Sequence, residues 1–176
     1  MNLATVSTMD QSAPLTQTLT HREHAHLETC MPLFRKIMVP IDGSDTSDKA
    51  MRTALDMARE ALGTVCFVHV IDDDRYLTSH EFSADLRTYA HDNAKQLLQK
   101  AMDAASAMGV NAESHVVDKP RQRLGESVAD EAADWGADLV VLGTHGRRGL
   151  GRMLLGSGAE QVIRLSPVPV LVVRGD

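Results

Sequence analysis

The residues with the clearest chemical purpose lie in one stretch, GTHGRRGLGRMLLGSGAEQV, at positions 143–162. It holds six glycines, four of them within residues 143–151, and three arginines, Arg147, Arg148 and Arg152. Glycine lets the backbone approach a ligand and turn its N–H groups toward it. Gly156 and Ser157 then open a short helical pattern, and the amino end of a helix attracts phosphate. Ser157 adds a hydroxyl donor, and the arginines can offset phosphate charge or stand in water as solvated surface charges. Together these groups suit a phosphate-bearing nucleotide better than a plain surface loop. Two common phosphate motifs are excluded. No lysine precedes Ser157, so the stretch is not a P-loop, and the first strand leads into PIDGSD rather than G-x-G-x-x-G.

Other chemistry-bearing residues offer less. His145 has the type of a general base, but no paired carboxylate or nucleophile stands near it in sequence, which favours a bystander imidazole. The aspartates at 72–74 could hold Mg²⁺, and more simply they close a strand. His21, His24 and His26 lack the carboxylate or cysteine companions of a metal site and read as polar tail. Asp42 either caps the first helix or meets a ligand, or does both. Cys66 and His69 read as buried sheet residues, and Trp135 as packing beside the fourth strand.

The elements that must carry these residues alternate regularly. KIMVPI is a short strand, followed by a helix over SDTSDKAMRTALDMAREAL with Ser44 as N-cap. Asp45 and Asp48 suit the helix start, Ala50, Ala54, Met57, Ala58 and Ala61 form its small-residue face, and Gly63 is expected to end it. TVCFVHV is the second strand. A long helix runs from about Ser83 to Met108, ending at Gly109. NAESHVV is a less apolar third strand, expected near an edge, with Pro120 blocking its continuation. LGESVADEAADWG is a helix stopped by Gly136, ADLVVLG the fourth strand, GSGAEQVIRLS a short helix and VPVLVVR the last strand. Strands one, two and four are continuous apolar runs, as when both faces of a sheet are covered. The expectation is one α/β domain: a doubly wound, five-stranded parallel sheet with helices on both faces, Rossmann-like in layout. Ligands in such folds sit at the carboxyl ends of the strands.

Residues 1–34 differ. They are polar, rich in Thr, Ser, Gln and His, and without a period, which predicts a flexible N-terminal tail before a domain at 35–176. Met31 opens MPLFRKIMVPIDGS and is a candidate initiator. A net charge of −6 with 3% aromatics lacks the broad basic face and stacking rings of nucleic-acid binders. No apolar run has the length of a membrane span, and no basic start precedes an apolar stretch at the N-terminus, so neither membrane insertion nor a leader is expected. Cys30 and Cys66 show no paired spacing, which suits a reducing cytoplasm.

Gly143, Gly146, Gly156 and Ser157 stand in the pattern G-x2-G-x9-G-[S/T]. With the opening VPIDGS and the closing PVPVLVV, residues 35–176 resemble the universal stress protein family, in its ATP-binding branch. The resemblance implies that Pro40, Ile41 and Val70 line an adenine pocket and that Asp42 meets the ribose. It implies that Leu142 and Gly143 lie under the nucleotide, that Gly146 approaches the phosphates with Arg147 beside it, and that Gly156, Ser157, Gly158 and Ala159 present the phosphate-binding helix start. Gly158 stands where many relatives carry Val, which loosens that turn. The resemblance also implies ATP as ligand, with Mg²⁺ as a possible companion, and a homodimer formed through the last strand. The role it suggests is regulatory, nucleotide occupancy biasing the dimer or an unknown protein partner in stress response. A slow ATPase or phosphotransferase, for which no convincing base stands out, and a nucleotide-independent dimeric scaffold remain as alternatives.

Overall fold

The strands are short, and each of the first four is followed by a segment with helical spacing, so successive strands run the same way. The computed structural model describes residues 34–71, 84–144 and 155–175. The strands are β1 Lys36–Pro40, β2 Thr64–Val70, β3 Asn111–Val117, β4 Leu139–Gly143 and β5 Val170–Val173. The helices are α1 Asp45–Ala61, α2 Ala84–Ala107, α3 Leu124–Trp135 and α4 Ser157–Leu165. All strand pairs are parallel, and the sheet order is β3-β2-β1-β4-β5. The weakly apolar β3 is an edge strand, as its composition predicts.

Alternation along the strands sorts the side chains into two cores. Ile37, Val39, Val65, Phe67, Leu139 and Val141 pack with Ala50, Ala54, Leu55 and Ala58 of α1 and with Leu98, Ala101 and Ala105 of α2. Met38, Cys66, Val68, Val140 and Leu142 point the other way and pack with Val128 and Ala132 of α3 and Val162 of α4. Thus α1 and α2 cover one face while the chain winds from β1 to β3. The chain then returns to β4, and α3 and α4 cover the other face. The reversal lies between β1 and β4, the position where doubly wound sheets open a crevice at their carboxyl ends. Phe34, the last residue of the expected tail, packs against the first core.

Several helix ends follow the local sequence. Ser44 caps α1, accepting a bond from Ser47 N. Gly109 and Gly136 take left-handed backbone after α2 and α3. At the end of α1, however, Leu62 and not Gly63 holds the left-handed position, with φ 51°. Gly63 is needed for another reason. A Cβ there would lie 2.6 Å from the Arg35 carbonyl oxygen, because Gly63 leads β2 in beside the start of β1.

The opposite pole of the sheet is closed by charges. The Asp138 carboxylate accepts from Arg35 N at 2.8 Å and from Lys36 N. The Lys36 ammonium lies 4.4 Å from the centroid of the Trp135 ring and donates to the Trp135 carbonyl. Trp135 Nε1 donates to Glu113 on β3 at 3.2 Å. Trp135 packs against the core cluster that contains Val140 of β4, as expected, and its partners place it at the amino ends of the strands.

Candidate nucleotide site

The carboxyl end of β1 runs directly into a tight turn. Pro40 is half-buried and Ile41 buried, with Ile41 N bonded to the Val68 carbonyl of β2 at 2.8 Å. Gly43 takes φ 77°, a conformation that only glycine adopts cheaply. The turn brings Ser44 back onto Asp42. Asp42 Oδ1 accepts from Ser44 N at 3.0 Å and from Ser44 Oγ at 2.7 Å. Asp42 N donates to Ser47 Oγ at 3.2 Å. Asp42 therefore organises the start of α1 while Ser44 caps it, and the half-buried carboxylate sits where β1 ends.

β2 ends beside this turn. Val70 is half-buried. His69 is half-buried, not fully enclosed as its apolar neighbours suggest, and its Nδ1–H donates to the Ile41 carbonyl at 2.7 Å. That bond ties the end of β2 to the residue before Asp42. Periodicity could not have found it, because the partners are 28 residues apart.

On the other side of the reversal, Leu142 is buried in the second core and Gly143 ends β4. A Cβ on Gly143 would lie 2.7 Å from Thr46 C and 2.8 Å from Thr46 Cβ, so this glycine is needed for β4 to lie against the first turn of α1. Thr144 N bonds to the Val173 carbonyl and Gly156 N to the Thr144 carbonyl at 2.8 Å, which brings the start of α4 to the end of β4. Gly156 is the N-cap with φ −64° and ψ 145°, and it offers no side-chain cap to the first N–H groups of α4. Ser157 is exposed and Ala159 half-buried. Gly158 faces α3: a Cβ there would meet Leu124 Cδ2 at 2.6 Å. Gly125 makes the matching approach, its Cβ position 2.5 Å from Gln161 Cβ. Gly125, whose Cβ would also meet Gln161 C at 2.8 Å, thus lets α4 lie close on α3, while at 158 only the end of the Leu124 side chain would have to move.

Pro40, Ile41, Asp42, Val70, Leu142, Gly143, Gly156, Ser157, Gly158 and Ala159 accordingly lie at or next to the carboxyl ends of β1, β2 and β4, or in the first turn of α4. Gly146, the three arginines, His145, the aspartates 72–74 and the tail histidines lie outside the described residues. Among the described residues, no group of three or more His, Cys, Asp or Glu could hold a metal ion. No helix among them is long and apolar enough to cross a membrane.

Residues 33–174 match the universal stress protein family. The chain belongs to that family. The universal stress protein YxiE of Bacillus subtilis is 32% identical over 152 residues, which cover 81% of this chain and all of the relative. Among solved structures, the hypothetical protein MJ0577 superposes with a TM-score of 0.73 at 28% identity, over 82% of this chain and 98% of that one. The universal stress protein from Archaeoglobus fulgidus, in complex with dAMP, shares the fold with a TM-score of 0.61 at 22% identity, over 80% and 98%. The five-stranded parallel sheet with four helices is the family's fold.

Two further polar clusters involve β3 and the residue after it. Cys66 is a free, fully buried thiol. Burial first, and then the carboxylates of Glu113 and Glu131, push its pKa up to about 12. A thiol so protonated at neutral pH is a poor nucleophile, which matches a packing role. His115 Nδ1 lies 2.6 Å from Glu131 and 3.8 Å from Cys66 Sγ. The second cluster joins Asp118, just past β3, to Arg87 at 2.7 Å and His91 at 2.8 Å on α2.

Proposed function

We propose that this chain binds an adenine nucleotide at the carboxyl ends of β1, β2 and β4, and that occupancy of the site regulates its association with a second copy or with a protein partner in stress response. The observation that carries the reading is the opening of α4 at the sheet reversal: its first N–H groups have no side-chain cap and start beside the end of β4. Uncapped helical N–H groups at that position favour phosphate oxygens. Pro40, Ile41 and Val70 supply apolar walls for adenine. Asp42 is an acceptor-only carboxylate, suited to the hydroxyls of ribose and unsuited to phosphate. Gly156, Ser157, Gly158 and Ala159 take the phosphates, with Gly146 and Arg147 of the connecting stretch joining them. Leu142 and Gly143 form the floor. The relative from Archaeoglobus holds dAMP, and other solved members of the fold hold cAMP and AMP. ATP is the proposed ligand here because three arginines between Gly146 and Gly156 give positive charge beyond what one phosphate uses. Mg²⁺ is the proposed companion of the triphosphate, and the cytoplasm the proposed compartment.

The homodimer is proposed through β5. It is an edge strand, and its Leu171 is exposed, as are Ile163 and Leu165 at the end of α4. Edge strands with apolar side chains are ordinarily covered. The helix that would receive phosphate at its start thus ends near the strand that would pair.

Calorimetric titration of nucleotide-stripped protein with ATP and AMP, with and without Mg²⁺, tests the site. Wild type is expected to bind ATP saturably, and Gly156→Val to lose that binding. The φ of −64° at Gly156 suits valine, so the variant is expected to stay folded while its side chain blocks the approach of phosphate. Absence of ATP binding by wild type would remove the nucleotide reading and leave a dimeric scaffold in its place.

A further inference from the structure

We infer that Ser44 is a positioning residue for the nucleotide: its hydroxyl fixes the Asp42 carboxylate in the orientation that receives the ribose hydroxyls. The inference rests on the nucleotide reading above and adds to it a residue that touches no ligand. Ser44 has an evident structural duty as the N-cap of α1, and an N-cap needs only its oxygen as acceptor. The distances show that the hydroxyl does more. Ser47 N lies 3.3 Å from Ser44 Oγ, long for an N–H···O bond, whereas the Ser44 hydroxyl donates to Asp42 Oδ1 at 2.7 Å. The shorter contact is the one to the carboxylate, and a hydrogen bond to an ionised acceptor is also the stronger kind.

Two donors of the same residue, Ser44 N and Ser44 Oγ, converge on the single oxygen Oδ1. A carboxylate held at one oxygen by two donors from different directions has its plane and its χ angles restricted. The surroundings restrict Ser44 in turn. Thr46 Oγ1 lies 3.2 Å from Ser44 Oγ, and Gly143 of β4 packs against the Thr46 backbone so closely that a Cβ has no room. The contacts that run from Asp42 through Ser44 to Thr46 therefore lie between the end of β1 and the end of β4, the two strands that flank the reversal. A preorganised acceptor does not spend binding free energy on being ordered when a ligand arrives. The expected consequence is discrimination for the sugar hydroxyls, because only a sugar that carries them can bond the carboxylate in its fixed orientation.

The test compares ATP with 2′,3′-dideoxy-ATP by calorimetry in wild type, Ser44→Asp and Ser44→Gly. Aspartate caps a helix as well as serine and glycine only a little less well, so both variants are expected to fold, with thermal midpoints within about 2 °C of wild type. Neither has a hydroxyl to give Asp42, and only Ser44→Asp adds a like charge, so agreement between them separates lost positioning from repulsion. Wild type is expected to prefer ATP by about tenfold or more, and both variants by less than about threefold. An unchanged preference in both variants, with ATP binding intact, overturns the inference alone, as does wild type that binds both nucleotides equally. Failure of wild type to bind ATP at all removes the nucleotide reading and the inference with it.

Discussion

At the scale of single residues, Asp118 is a largely buried carboxylate whose charge two side chains of α2 support. Burial pushes its pKa up, but the bonds and charges of Arg87 and His91 outweigh that, and its carboxyl is held below its ordinary value. A depressed folded-state pKa means that the stabilisation is complete above the unfolded value, about 3.9, and is lost as pH falls below that through the folded value. Asp118→Asn is expected to cost about 1–2 kcal/mol at pH 7, the lower end for charged pairs because Arg87 is half exposed. Thermal melts of both proteins between about pH 3 and 7, from below the ordinary carboxylate pKa to neutrality, check this. The gap between them should close only toward the acid end. A gap already closed near neutral pH would show that the Asp118 carboxylate contributes nothing. Ordinary sequence reading gives no hint of this trio, since Arg87 and His91 lie 31 and 27 residues from Asp118.

At the scale of elements, the end of α1 carries one of two non-glycine residues with left-handed backbone among the described residues, the other being Arg121. Leu62 is left-handed and 92% exposed, so its side chain gains almost nothing while its Cβ is strained. Leu62→Gly is expected to raise stability by up to about 1 kcal/mol, the relief of strain exceeding the extra entropy glycine loses on folding. Denaturant unfolding of the two proteins measures it directly; a fall in midpoint would show that Leu62 has packing worth more than its strain. The sequence places a glycine one residue later, and the helix does stop there. What it could not show is that Gly63 was already committed to passing close by Arg35. The same holds at the crossing of α3 and α4, where Gly158 reads as a ligand glycine and also faces Leu124, and where Gly125, inside an expected helix, meets Gln161 of α4.

At the scale of the whole molecule, the site and the proposed dimer edge share one piece of structure, from Gly156 through α4 to β5. Leu171→Lys is expected to convert the proposed dimer to monomer, because a charge on an edge strand opposes pairing. Light scattering after size exclusion reads the mass, with ATP titration of the same variant as a control for the site. A wild type already monomeric at working concentration removes the β5 interface, and a variant that stays dimeric moves the interface elsewhere.

The sequence by itself determined the alternation of strands and helices, the cap at Ser44, the edge position of β3 and the family. These features are written in short-range patterns: apolar runs, helical spacing, and turn residues at fixed offsets. The tertiary structure alone decided that Gly63, Gly125 and Gly143 lie against distant parts of the chain, at Arg35, Gln161 and Thr46. It also decided that Asp42 is held by Ser44, that His69 ties β2 to Ile41, and that Arg87 and His91 hold Asp118. Those choices depend on the distance between parts of the chain tens of residues apart, and close packing, not local preference, sets that distance.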